Sequence, residues 1–318
     1  MSKREQDHDS LGNRLKSYEY LSTSRQLMPN TPVYARIDGR AFHTFCRGLE
    51  KPFSKAFIEV MQQTCKFLVE ETNACLGYVQ SDEISLGWEN IVKAPFDGRV
   101  QKLESNLASL ASAKFVHYIM SHTIDNTMNL FNRVERYIPS FDCRVFNVPT
   151  MTELANCFLW RENDAIKNSI SGMALNFYSH KELQNKNSDK KIHMMRMKGH
   201  CFYEDTDPAF MRGTFYHRVD YLKELTCKEV ARIPENLRGG LITADDDSVK
   251  VMMRQGDGSW LELKPDTYYC WRTHIVPMNL PYRLTETEDL VGVLFRGVES
   301  KCKIANPTFD LSKRGEEK

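Results

Sequence analysis

The chain is 318 residues long, 41% hydrophobic and 27% charged, with a formal net charge of +1. These are the proportions of an ordinary globular protein, with apolar material for one large domain or two closely packed ones. They exclude a global electrostatic pull on nucleic acid, an apolar membrane span of roughly 20 residues, and a disulfide scaffold, because the nine cysteines are scattered singly with no C-x-x-C pair.

The polar N-terminus MSKREQDHDS lacks the apolar region of a signal peptide. Together with unpaired cysteines, it makes the cytoplasm the expected setting. No H-E-x-x-H pair, G-x-S-x-G elbow, P-loop or G-x-G-x-x-G loop occurs.

In chain order, Leu11, Leu15, Tyr18 and Leu21 recur at helical spacing after Ser10, a candidate N-cap. Val33 to Ile37 is a run of β-formers that stops at Asp38-Gly39, flanked by Arg36 and Arg40. Read alone, this is a strand ending in an Asp-Gly turn with two surface arginines, or a carboxylate placed to hold a hard cation. Ser54 caps a predicted helix carrying Phe57, Met61, Thr64 and Leu68 and ending near Asn73.

Cys75 to Gln80 and Glu83 to Trp88 read as strands joined by a Ser81-Asp82 turn. A helix is predicted over 100–122, and a strand over Cys143 to Val148. This order, βαββαβ, is the ferredoxin-like split unit, so the fold class is α+β.

Thr150-x-x-Glu153 is a capping box that opens a helix through Trp160, with continuation over 164–178 weakened by Gly172. Ser179-x-x-Glu182 repeats the pattern. Residues 181–198 carry six basic and two acidic side chains, read as a solvated helix face or a phosphate-backbone contact. Nearby Met194, Met195 and Met197 read as core filler. Beyond 219, short strands and turns alternate, including Asp257-Gly258 and an acidic turn at Asp245-Asp246-Asp247. The expected division is a palm-like domain over 1–149 and a helical and mixed region over 150–318.

In a ferredoxin-like sheet the end of the first strand approaches the hairpin turn. Asp38 should therefore meet Asp82, with Glu83 beside it. Two converging carboxylates are costly unless a cation neutralises them. Mg²⁺, which takes few protein oxygens and keeps water or phosphate, suits such sparse ligation. The alternative is that Asp82 only initiates the turn.

RIDGRAFHTF, then EKPF, then QSDEISLGW resemble the tRNA-His guanylyltransferase family, whose ordered pattern is R-[IL]-D-G-R-x-F-H, K-P and Q-S-D-E. PSFDCRVFNVP, LWRENDAIKNSIS and RGTFYHR fall where that family has F-D-x-R-V, W-R-x-x-D and K-G-T. The resemblance runs from about residue 11 to 218. It implies a polymerase-palm-like domain that adds GTP or other NTPs to tRNA 5′ ends in the 3′→5′ direction, with two magnesium ions, ATP for activation, and a homotetrameric assembly. By the same resemblance Asp38, the backbone of Gly39 and Asp82 ligate metal. Asp38, Gly39, Arg40, Ala41, Phe42, His43, Ser81 and Asp82 bind nucleotide, Lys51 contacts its triphosphate, and Glu83 supports catalysis. Arg144 and Asn168 match positions near the active site.

The chain also departs from the family. Eukaryotic guanylating enzymes carry H-I-N-N-L-Y-N after W-R-x-x-D, but here Ile166 replaces the histidine and Asn168 remains. Leu103-Glu104 stands where those enzymes place a basic pair. These departures resemble the guanylyltransferase-like branch, in which templated repair of 5′-truncated tRNA predominates. A palm-fold nucleotide cyclase and a non-catalytic tRNA-binding protein are the alternative readings.

Overall fold

The computed structural model describes residues 10–89, 95–121, 128–243, 252–255, 259–280 and 283–296. Asp245-Asp246-Asp247 and Asp257-Gly258 lie outside them. The elements in order are α1 (Ser10–Thr23), β1 (Val33–Gly39), α2 (Phe42–Phe45), α3 (Lys55–Thr72), β2 (Leu76–Gln80), β3 (Glu83–Trp88), α4 (Val100–Ser121), α5 (Met128–Arg136), β4 (Phe141–Asn147) and α6 (Met151–Ala174). There follow α7 (His180–Leu183), α8 (Ser188–Met197), α9 (Phe202–Asp205), α10 (Pro208–Met211), β5 (Thr214–Glu224), α11 (Cys227–Arg232), α12 (Glu235–Arg238), β6 (Met252–Arg254), β7 (Trp260–Glu262), β8 (Tyr269–Pro277) and α13 (Leu290–Phe295).

The sheet has six strands in the order β4-β1-β3-β2-β5-β8, and every pairing is antiparallel. Its first four strands, with α3 and α4 as crossovers, form the βαββαβ unit expected from the sequence. The last two strands come from beyond residue 149, so the sheet runs across the division expected there. β5 is the reason: its Thr214 to His217 continue the ladder on the free edge of β2. The 11 residues of β5 then carry β8 as a further edge strand.

Period-two alternation sorts each strand between two cores. Val33, Ala35 and Ile37 of β1 face α3 and α4, where Met61, Cys65, Leu68, Leu107, Ala111 and Phe115 are buried with them. Tyr34, between them, faces the other way, against Leu154, Ala155 and Phe158 of α6 and Phe215 of β5. Burying one such side chain contributes about 1.5–3 kcal/mol. These two layers dominate the fold. A third cluster joins the end of α6 to α8 and α9 through Ile170, Met195 and Phe202.

Local signals explain the helix ends. Ser54 accepts the Phe57 N–H at the start of α3, and Asn73 closes it in the left-handed conformation at φ 54°. Thr150 accepts the Glu153 N–H, but the Glu153 carboxylate takes a hydrogen bond from Asn156. The box at Ser179 and Glu182 is complete. The two helical stretches expected around 150–160 and 164–178 are one 24-residue helix. Gly172 does not interrupt it, because it lies near the C-terminal end against the ring of Phe53. Of the three methionines read as core filler, Met195 is fully buried whereas Met197 is 73% exposed. Of the cysteines, Cys65 is fully buried, while Cys75 and Cys157 are half-buried.

Candidate active site

Asp38 ends β1 directly across from Glu83 of β3 and, on its other side, from Asp142 of β4. Alternation puts Arg36 and Asp38 on the α6 face of the sheet with Tyr34. The same rule puts Glu83 and Ser85 on that face, as does the Tyr34–Ser85 hydroxyl pair at 2.6 Å. On β4 it places Asp142 and Arg144 there too, beside Phe146. Three acidic and two basic residues thus share one end of one face.

The hairpin turn closes over this end. The Gly39 N–H donates to the Asp82 carbonyl at 3.0 Å, joining the two segments that carry Asp38 and Asp82. Gly39 has to be glycine: a Cβ there would lie 2.5 Å from the Phe42 ring and 2.9 Å from the Asp82 Cβ. Ser81 takes φ 51° to make the turn, and its hydroxyl donates to Asp82 Oδ1 at 3.1 Å. Burial raises the Asp82 carboxyl above its ordinary 3.8, and the Asp38 charge pushes it the same way. A group in that position gains from a cation.

Glu83 is placed differently. Its Oε1 accepts from Arg161 Nε at 2.5 Å, and Arg36 Nε stands 4.0 Å from Oε2. Burial raises its carboxyl above 4.5, and Arg161 opposes that shift. Arg161 also bonds Asp164 at 3.1 Å, and Asp164 accepts from Asn168 at 3.2 Å. The guanidinium groups of Arg36 and Arg161 lie 5.5 Å and 4.6 Å from the ring centre of Trp160. The Arg36 Nε is buried without a hydrogen-bond acceptor. Glu83 is therefore held in an arginine network rather than aimed freely at Asp38.

A cleft of about 470 Å³ opens beside these groups. It is lined by Asp38, Ser81, Asp82, Glu83, Lys51, Arg161 and Asn168, and by Phe53 and Phe210, which stack at 5.0 Å between ring centres. Lys51 thus faces the same space as the aspartates. Cys46 is at its wall, where burial first and Asp82 second push the thiol up to about 12, so it stays protonated. Arg144 approaches Asp38 at 4.0 Å and Asp142 at 3.3 Å.

Arg40, Ala41, Phe42 and His43 follow Gly39 but do not line the cleft. The Phe42 side chain is 2% exposed among Phe45, Phe115 and Phe141, leaving only its main chain for a ligand. Ala41 stands at φ 57°, and His43 Nε2 is 3.0 Å from the Thr44 hydroxyl. Ile166 is buried with Met195 and Phe202. Glu104 accepts the Val145 N–H at 3.1 Å and Leu103 is buried, so both departures from the family pattern serve packing here.

Sequence reasoning had Arg36 flanking Asp38, but gave no site role to Arg161, Asp142, Phe53 or Phe210. The W-R dipeptide marked Arg161, but its partner Glu83 lies 78 residues away. Among the described residues no three His, Cys, Asp or Glu side chains gather around one point. Two carboxylates and nearby main-chain oxygens are the donors at hand, a hard, sparse set that fits Mg²⁺ with substrate phosphate and water completing the shell.

A ferredoxin-like sheet with two aspartates at the β1 end and the β2–β3 turn defines the polymerase-palm class of α+β fold. The family model for tRNAHis guanylyltransferase matches residues 12–149. A solved bacterial tRNAHis guanylyltransferase-like protein in complex with ATP is 35% identical, with a TM-score of 0.58, over 65% of this chain and 88% of that one. A bacterial structure of the same description in complex with GTP is 32% identical, with a TM-score of 0.54, over 67% and 86%. The tRNAHis guanylyltransferase of Schizosaccharomyces pombe is 31% identical over 49% of this chain and 56% of its own length. The chain belongs to the tRNAHis guanylyltransferase family and is, by that membership, a nucleotidyltransferase.

Proposed function

We propose that this protein is a magnesium-dependent nucleotidyltransferase that adds GTP or other NTPs to the 5′ end of tRNA in the 3′→5′ direction. The observation that carries the reading is the meeting of Asp38 and Asp82 at the mouth of a cleft that Lys51 also lines. Asp38, Asp82 and the Gly39 main chain are the groups to hold magnesium. When bound, the metal supplies charge neutralisation and lowers the pKa of the attacking hydroxyl.

The 3′-hydroxyl of the incoming nucleotide attacks the activated tRNA 5′-phosphate. A new P–O bond forms, the hydroxyl proton is lost, and AMP leaves an adenylylated end or pyrophosphate leaves a triphosphorylated one. Positioning and charge compensation do most of the work in such transfers. Lys51 meets the triphosphate as a compact cation. Ser81 and Asp82, with the main chain over Gly39 to His43, orient the nucleotide. Glu83, tied to Arg161, fixes the end of β3 beside Asp38 and acts by positioning.

Repair of 5′-truncated tRNA is favoured over obligatory guanylation of tRNA-His, because Ile166 and Leu103-Glu104 replace family residues and pack into the fold. The assembly is taken as a homotetramer on family resemblance, and its setting as the cytoplasm because the described cysteines are all free.

The experiment offers 5′-monophosphorylated and 5′-triphosphorylated tRNAs, full-length and lacking one 5′ nucleotide, with each NTP in turn. Template-matched addition to the truncated tRNAs, dependent on magnesium, is expected. Exclusive addition of G to full-length tRNA-His would replace repair with guanylation. A cyclic product from GTP alone would replace the whole reading with a cyclase.

A further inference from the structure

A second groove, about 640 Å³ in volume, lies where the end of α6 meets α7 and α8. It is lined by Ser171, Leu175, His180, Lys181, Leu183, Gln184 and Lys191, with no carboxylate among them. The stretch 181–198 that forms its wall has a net charge of +4 in a chain whose total is +1. Among the described residues, Lys181, Lys186, Lys190 and Lys191 take part in no ion pair. Lys191 is nonetheless fixed, because its ammonium donates to the Ser171 hydroxyl at 2.9 Å. Neither acidic residue of the stretch lines the groove: Glu182 completes the cap on Ser179, and Asp189 sits in the first turn of α8. A concave basic surface with one anchored lysine suits a polyanion better than bulk solvent.

Its position relative to the cleft gives the polyanion an identity. Asn168 lines the cleft, and Ser171 and Leu175 line the groove. Their spacing of three and then four residues puts them along one face of α6. Seven residues of helix rise about 10 Å. A nucleic-acid strand rises about 3.4 Å per nucleotide, so a strand whose 5′ end is in the cleft has roughly its third phosphate at the groove.

We propose that the α6–α7–α8 groove binds the sugar–phosphate backbone of the acceptor RNA, about three nucleotides in from the reacting 5′ end, through Lys181 and Lys191. This rests on the nucleotidyl-transfer reading for the location of the 5′ end, but the RNA contact can be read independently of transfer.

The test uses the full chain and a 5′-triphosphorylated tRNA transcript, with binding measured by fluorescence anisotropy across a salt series. Lys181→Gln/Lys191→Gln should bind tRNA about tenfold more weakly, with the slope of log K against log salt falling by roughly 1.4 to 1.8. GTP binding should be unchanged, and Lys181→Arg/Lys191→Arg should restore both tRNA affinity and slope. Circular dichroism checks that the variants fold. A dinucleotide acceptor, too short to reach the groove, should bind both proteins equally. Unchanged tRNA affinity and slope in the glutamine variant would overturn the proposal. So would displacement by poly-glutamate without displacement by RNA, which assigns the groove to an acidic protein surface. If RNA binding weakens as expected but wild-type protein transfers no nucleotide, the groove stands and the catalytic reading falls.

Discussion

Glu83 is the cross-strand neighbour of Asp38, yet its carboxylate is bonded to Arg161 of α6 at 2.5 Å. Adjacent in sequence, Asp82 and Glu83 therefore have different chemical partners. Asp82 turns with the hairpin into the cleft beside Asp38, while Glu83 ties the sheet to α6. The consequence is a division of labour that kinetics and denaturation separate.

Asp38→Asn and Asp82→Asn are expected to lower nucleotide incorporation by at least 10²-fold, about the scale of losing one electrostatic stabiliser of the reaction, while the fold persists. The Asp82 carboxyl titrates above 3.8 in the folded chain because burial disfavours its charge. The folded state thus holds that proton more tightly than the unfolded one, and stability falls as pH rises through the folded value. With chelator present at neutral pH, Asp82→Asn should melt above wild type. Magnesium should raise the wild-type melting temperature and move the variant less, by the mass-action term of about 2.7 kcal/mol at a hundredfold excess over Kd. A variant that melts no higher than wild type in chelator refutes the burial argument.

Removing Arg161 with Arg161→Met leaves Glu83 partly buried without its principal cation. We expect a loss of about 1–3 kcal/mol in urea denaturation, between the values for exposed and buried pairs. Glu83→Gln/Arg161→Met should lose less than the two single changes together. Strict additivity in that cycle would mean that the contact is not an energetic pair.

Glu162 and Arg212 are more deeply coupled. Glu162 is fully buried, Arg212 Nε donates to its Oε1 at 2.8 Å, and the Leu284 N–H donates to its Oε2 at 2.7 Å. Burial raises the Glu162 carboxyl and Arg212 opposes that. Arg212→Met should cost about 3–5 kcal/mol, since it strands a buried charge. Part of that cost should be recovered at lower pH, where Glu162 takes up a proton. Denaturation at pH 5 and pH 8 checks the sign.

Gly39→Ala is expected to reduce activity more than stability. The new Cβ would meet the Phe42 ring and the Asp82 Cβ, so relief requires the turn to move away from Asp38. Incorporation should fall by about 10²-fold for a displacement of the order of 1 Å, with a modest loss in melting temperature. Full activity would show that the turn is free to adjust.

Much of this fold was legible in local patterns. The run of β-formers in Val33 to Ile37, the caps at Ser54 and Ser179 and the strand–turn–strand at Cys75 to Trp88 are decided by residues within a few positions of one another. For that reason the βαββαβ order, and the approach of Asp38 to Asp82 that follows from it, could be read before any coordinates. Gly172 misled because an isolated glycine weakens a helix only where packing does not compensate, and here Phe53 covers it.

Other features depended on contacts between distant segments. The edge of β2 could accept β5 only after the sheet had formed, so the continuation past residue 149 has no local sign. Arg161 acquires its partner Glu83 across 78 residues, and Phe53 stacks on Phe210 of α10 across a longer separation still. In RIDGRAFHTF, the sequence by itself determined a strand end and a carboxylate at a turn, because those are properties of a short backbone segment. Only the tertiary structure decided that Phe42 belongs to the core, that Glu83 answers to arginine, and that Asp38, Asp82 and Lys51 open onto one cleft, because burial and charge are set by what packs alongside.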